Sequence, residues 1–158
     1  MKNAVLIILI TTLCFTACSR DDEDPPATGN KEQLMAGRWL LVGSAIKTNI
    51  NGAETTQDIY ATLRPCEKDN INIYKADSHL IVDEGAIKCD TGQQQDKGTW
   101  AMSEDRTKLI ITPVSGSVVT QTIDQFDNTT LKLSVAQTES ANGVTVTYTF
   151  SETFTHQN

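Results

Sequence analysis

In the last third of the chain, apolar side chains recur at every second position. Leu131, Leu133 and Val135 alternate with Lys132, Ser134 and Ala136, and Val144, Val146, Tyr148, Phe150 and Phe154 alternate mainly with threonines. A period of two puts all the apolar groups on one face of an extended strand and the polar groups on the other. A helix, with its period of 3.6, cannot present that face, so the pattern demands a sheet with one covered side. Similar β-branched runs, separated by turn residues, occupy 38–47, 70–75, 80–84, 98–103, 108–113, 117–126, 130–137 and 144–154. No long helical stripe lies between these eight segments, and the expected class is all-β.

Successive runs are close enough to pair as hairpins, and parity tests the pairing, because a slip of one residue sends every side chain to the wrong face. A turn centred on Asp105 and Arg106 sets Trp100 opposite Ile111 and Met102 opposite Leu109. A turn centred on Asp77 and Ser78 sets Ile73 opposite Val82, Ile71 opposite Glu84 and Lys75 opposite Leu80. Eight sequential strands leave two open edges unless the sheet closes on itself, which favours a single antiparallel up-and-down barrel over a sandwich. Residues 58–63 place Ile59, Tyr60 and Leu63 at one-turn spacing. They read either as a short helix plugging one barrel end or as an irregular loop in which Tyr60 covers the core.

The first residues carry an address. Lys2 precedes an apolar run from Ala4 to Phe15, too short for a bilayer core of about 30 Å, which takes about 20 residues. It reads as a signal-peptide core. Phe15, Thr16, Ala17 and Cys18 resemble the bacterial lipobox, which implies removal of residues 1–17 and acylation of Cys18. The alternative is a plain secretory signal with an incidental cysteine. An acylated cysteine carries several chains, each buried methylene contributing about 0.8 kcal/mol, enough for a lasting anchor.

Ser19 in place of aspartate resembles the sorting pattern of outer-membrane lipoproteins. Asp21, Asp22, Glu23 and Asp24 after Arg20 resemble the export signal of surface lipoproteins in the Bacteroidota. The alternative is a solvated spacer on a periplasm-facing protein, since like charges repel and extend a chain. With Pro25, Pro26, Gly29 and Asn30 following, residues 18–33 form a tether, and 34–158 form one domain. Cleavage would leave 12 basic against 20 acidic side chains, a net charge of −8. Nucleic acid would be repelled and is excluded as a partner.

Taken in order, Gly37 to Trp39, the 58–70 segment DIYATLRPCEKDN, VDEGAIKCD, GTWAMS and TTLKLS resemble the lipocalin-like domains of secreted and lipidated Bacteroidota proteins. The resemblance covers about 34–154. It implies an eight-stranded barrel whose base is sealed by Gly37 and Trp39. In lipocalins an arginine near the last strand stacks on that indole, and the last strand here has no arginine or lysine.

Once residues 1–17 are removed and Cys18 is acylated, Cys66 and Cys89 are the cysteines left. Extending the register through Asp77 and Ser78 sets them opposite each other, within disulfide range, and an exported compartment permits oxidation. His79, in a turn, and His156, at a fraying end, do not supply the clustered ligands zinc needs. Asp83, Glu84 and Asp90 lack the glycine-punctuated spacing of a calcium loop. No metal, cofactor or catalytic constellation is expected. Trp100, Met102, Phe126, Tyr148 and Phe150 are expected to point inward, either filling the barrel or lining a pocket for one small ligand. The expected function is a lipid-anchored binding module of the cell envelope that holds a small, partly apolar ligand in the barrel mouth. The alternative is a filled barrel displaying loops 49–57 and 89–97 to an envelope protein or host surface.

Overall fold

Each alternating run forms a strand, and the strands follow one another around a ring. The structure, a computed structural model, describes residues 35–157. The expected signal peptide at 1–17, the acylated Cys18 and the tether at 18–33 lie outside the described residues. Nine strands are present: β1 (Gly37–Ile50), β2 (Ala53–Asp58), β3 (Ile71–Tyr74), β4 (His79–Asp83), β5 (Gln95–Met102), β6 (Lys108–Pro113), β7 (Val119–Phe126), β8 (Thr130–Ala141) and β9 (Val144–Gln157). All neighbours are antiparallel. From β3 to β9 each strand pairs with the next, and β9 returns to pair with β1, which pairs with β3. Eight strands thus close an up-and-down barrel, as expected.

The ninth strand, β2, lies in a stretch expected to be a loop. Asn51 and Gly52 both have positive φ, 50° and 92°, the condition for the tight turn that Asn-Gly favours in hairpins. β1 therefore continues to Ile50 and folds back as β2, Ala45 pairing with Asp58 and Ile50 with Ala53. The same chemistry joins β8 to β9 at Asn142 and Gly143, with φ of 50° and 77°. The two hairpin tips meet where the Asn51 amide donates to the Thr145 carbonyl.

Strand lengths divide the barrel into two ends. Near the start of β1 lies the base, where all eight strands are present. Towards Ile50, β3 and β4 have ended, while β2, β1, β9 and β8 continue as a wall. A 3₁₀ turn (Tyr60–Thr62) and a one-turn helix, α1 (Pro65–Lys68), bridge β2 to β3. Tyr60 and Leu63 pack against the core from this bridge, so the 58–63 segment covers the core through one short turn of 3₁₀ helix.

Register decides which residues face inward. Trp100 pairs with Ile111 and Met102 with Leu109, as parity required. The β3–β4 hairpin departs by one residue: Ile73 pairs with Ile81, Asn72 with Val82 and Tyr74 with Leu80. The cause is its turn. Ser78 adopts a left-handed conformation, with φ of 68°, and the Lys75 amide donates to the His79 carbonyl, so three residues occupy a loop that the even-numbered register gave four. Asn72 and Tyr74 consequently face the core, and Ile71, Ile73 and Ile81 face outward. Bulges between Leu41 and Gly43 in β1 and between Ile123 and Gln125 in β7 bend those strands around the cylinder.

Trp39, Leu41, Tyr74, Leu80, Trp100, Leu109, Leu131, Leu133 and Phe154 form one buried cluster with Met35. Gly98 in β5 faces this core, and a Cβ there would meet the Thr112 carbonyl oxygen at 2.6 Å, so the glycine lets β5 and β6 approach closely. Cys66 in α1 and Cys89 in the loop after β4 form the expected disulfide, with Cα atoms 5.1 Å apart. They meet outside the strands, so the bridge does not depend on the hairpin register. It ties the bridging segment to the 84–94 loop, where the Ile87 amide also donates to Asp69 Oδ2 at 2.8 Å. Replacing both cysteines by alanine is expected to lower unfolding free energy by about 3 kcal/mol in the chain-entropy model. Urea denaturation of oxidised wild type against the double variant measures it, and an unchanged midpoint contradicts it.

Candidate functional site

The inward side chains change character along the barrel axis. At the base the indole of Trp39, fully buried, donates from Nε1 to the Met35 carbonyl at 3.0 Å. Phe126 tilts against it with ring centroids 6.0 Å apart. The ring of His156 meets it edge-on at 5.0 Å and 79°. His156 is no fraying end: it lies in β9, pairs with Trp39, and sits so near Gly37 that a Cβ there would lie 2.5 Å from its Nε2. An imidazole thus occupies the place on the indole where the resemblance implied an arginine. Tyr74 and Trp100 stack edge-on at 5.5 Å, and Trp100 Nε1 donates to the Lys75 carbonyl at 3.0 Å.

Trp100, Met102 and Phe126 belong to this packed base and its margin. Tyr148 and Phe150 lie elsewhere, on the wall above it. The cross-strand rows show the transition. Leu41, Phe154 and Leu131 form one row, and Ser44, Glu152 and Leu133 the next. Ile46, Phe150 and Val135 follow, then Thr48, Tyr148 and Gln137. Phe154 is 4 % exposed and Phe150 is 49 % exposed, so within two rows the interior passes from solid packing to an open mouth.

Most of the large exposed apolar residues also gather at that end. Ile50, Val114, Val118, Val119, Val144 and Phe150 lie on the strand ends and connections of the mouth, with Ile87 in the loop stapled by the disulfide. At the rim opposite the wall, Val82, Gln93, Gln95, Asp96, Lys97, Pro113, Val114 and Ser115 border a hollow of about 640 Å³. Five of those eight residues are polar or charged, so the apolar lining usual for a small-molecule site is found on the inward wall of β1, β8 and β9 and not in this rim hollow.

Polar groups stand between base and mouth. Glu152 faces inward with Phe154 below and Phe150 above it on β9, and burial holds its carboxyl above the ordinary value of 4.5, partly offset by Gln121. Gln121 faces inward from β7, opposite the core residue Leu109, and its Oε1 is buried without a partner. The Tyr74 hydroxyl, on a residue 1 % exposed, also has no partner. Burial raises its pKa first, and the Glu152 charge adds to that. Asn72 lies near enough to lower it somewhat, but no hydrogen bond between the two forms. Sequence reasoning missed this group for two reasons: the β3 register hid Asn72 and Tyr74, and Gln121 and Glu152 were passed over as the polar members of alternating strands.

The remaining candidates fall apart spatially. His79 has an orienting carboxylate that the sequence did not suggest, Asp77 Oδ1 at 3.1 Å, but the pair is well exposed on a turn with no nucleophile bonded to it. Asp83 accepts from the side chains of Gln94 and Gln95 and from the Gly85 amide, and its pKa is lowered by those bonds in that order of residues Gln95, Gln94 and Gly85. Among the described residues no three His, Cys, Asp or Glu side chains come together as a metal site.

No protein-family model matches the chain, and no curated protein matches it. Among solved structures, lobster apocrustacyanin A1 is similar, with 16 % sequence identity and a TM-score of 0.46. The match covers 83 % of this chain and 64 % of that one, less than two thirds of its length. A likeness of that size carries no argument about ligand or role. The barrel rests on its own strand order, closed from β1 to β9.

Glu152 also makes stability depend on pH. Its folded-state pKa lies above the unfolded value, so the unfolded chain ionises first and stability falls as pH rises from about 4.5 through the folded pKa. Below that range both states are protonated and the penalty vanishes. Glu152→Gln is therefore expected to be more stable than wild type at pH 7, with the difference shrinking towards pH 4. Thermal melts of both proteins across this range test it, and a variant less stable at neutral pH contradicts it.

Proposed function

We propose that this protein is a non-catalytic binding module that holds a small, partly apolar molecule in the mouth of its barrel. One observation carries the reading: the interior is packed solid at Phe154 and open at Phe150, where Ile46, Val135 and Tyr148, all half-buried, share the inward face with the exposed Phe150. Apolar side chains left facing an open concavity gain by covering, and burying a phenyl ring is worth about 1.5–3 kcal/mol. Native mass spectrometry of the purified protein would reveal a retained small molecule. Titration with the neutral apolar dye Nile red is expected to saturate at one site, and Phe150→Ala is expected to weaken it roughly tenfold. Binding that does not saturate, or that the variant leaves unchanged, contradicts the reading.

We further propose that the module is anchored in the outer membrane through acylated Cys18 and displayed at the cell surface. The support is the apolar run at 4–15, the residues before Cys18 and the acidic cluster after Arg20. The disulfide agrees with an oxidising compartment. In a bacterial host Cys18→Ala is expected to move the protein from the membrane fraction to the soluble one. Full retention in membranes contradicts the anchor.

A further inference from the structure

The inward face of β9 reads His156, Phe154, Glu152, Phe150, Tyr148 and Val146 from base to rim. A single carboxylate therefore interrupts an apolar face at the depth where packing gives way to the open mouth. Around it the barrel supplies hydrogen-bonding atoms that the protein itself leaves unused: Tyr74 Oη and Gln121 Oε1, both buried and unpartnered. Tyr74 is 1 % exposed and faces inward from β3, opposite Leu80, while Gln121 faces inward from β7. Buried polar atoms are normally satisfied, and a group of them left unsatisfied beside a carboxylate asks for a ligand atom that donates.

Charge selects among donors. No inward position of the described barrel strands is lysine or arginine, Lys97 bordering the hollow from the outer face of β5, whereas Asp96 and Glu139 face inward nearer the rim, opposite Val82 and Val146. The lumen is thus negative at two depths, and the imidazole at its foot is engaged with Trp39 two rows below Glu152. A buried carboxylate without a counter-charge is costly, and a cation bonded to it removes that cost. A carboxylic acid or phosphate headgroup would be repelled.

We propose that Glu152, Gln121 and Tyr74 form a polar socket at the floor of the mouth that receives the protonated amine of a small apolar molecule, whose body lies against Ile46, Val135 and Phe150. The ammonium donates to the Glu152 carboxylate, to Gln121 Oε1 and to the Tyr74 hydroxyl oxygen. Three donors on nitrogen match three acceptors in the socket. The inference rests on the mouth being the ligand site and adds to it the headgroup chemistry.

Octylamine, octanol and octanoate share one apolar tail and differ in the headgroup, so their competition with Nile red at pH 7 separates tail from head. Octylamine is expected to displace the dye with an affinity about tenfold or more above that of octanol, and octanoate to be the weakest. In Glu152→Gln the ratio of octylamine to octanol affinity is expected to fall to about one, while Glu104→Gln, in the β5–β6 turn at the base, keeps the wild-type ratio. Equal affinities for the three probes, a preference for octanoate, or an amine preference that survives Glu152→Gln would each overturn the socket and leave the apolar mouth standing. Absence of displacement by all three, with no saturable dye binding, would overturn both. A thermal melt of Glu152→Gln confirms that the variant is folded when its ratio is read.

Discussion

Closure of the sheet by β1 against β9 is the constraint on which the rest depends. Their ladder runs from Arg38 paired with Gln157 to Ile50 paired with Val146. Without it both strands would present open edges, and the apolar faces of eight strands would have no common interior to share. With it, Trp39 on β1 is carried beneath Phe126 from the far side of the barrel and beside His156 from the strand next to it. The base is sealed by aromatic edges and faces rather than by an ion pair, and the Gly37 backbone leaves space for the imidazole.

The same ladder creates the mouth. β1, β8 and β9 are long, whereas β3 and β4 have only four and five residues, so the cylinder is complete at one end and a standing wall at the other. Apolar side chains on the wall keep the parity that buries their counterparts at the base. They lose the covering strands and not the pattern. Exposure at Phe150 is therefore a consequence of unequal strand length, and the disulfide between α1 and the 84–94 loop holds the low side of the rim.

Much of this was legible in the residues. The alternation at 131–135 and 144–154 predicts the β8–β9 ladder with its apolar face inward, and the β5–β6 register follows from parity alone. The β3–β4 hairpin misled because a left-handed Ser78 shortens the turn by one residue, and parity amplifies one residue into a change of face. Tyr74 thereby moved from the outside to the core, and the socket moved with it. β2 went unseen although Asn51-Gly52 announces a two-residue turn, since the polar run after it, with all six residues exposed, has no apolar alternation to mark a strand.

The amino-acid sequence by itself determined the all-β class, the closed up-and-down order, the inward placement of Trp100 and Phe126 and the pairing of Cys66 with Cys89, because these depend on local alternation, turn chemistry and the choice among few cysteines. Only the tertiary structure decided that the barrel is filled at one end and open at the other, that His156 docks on Trp39, and that Tyr74, Gln121 and Glu152 share one interior. Those outcomes come from unequal strand lengths and from neighbours brought together across the ring, which are relations between distant segments that no local period records.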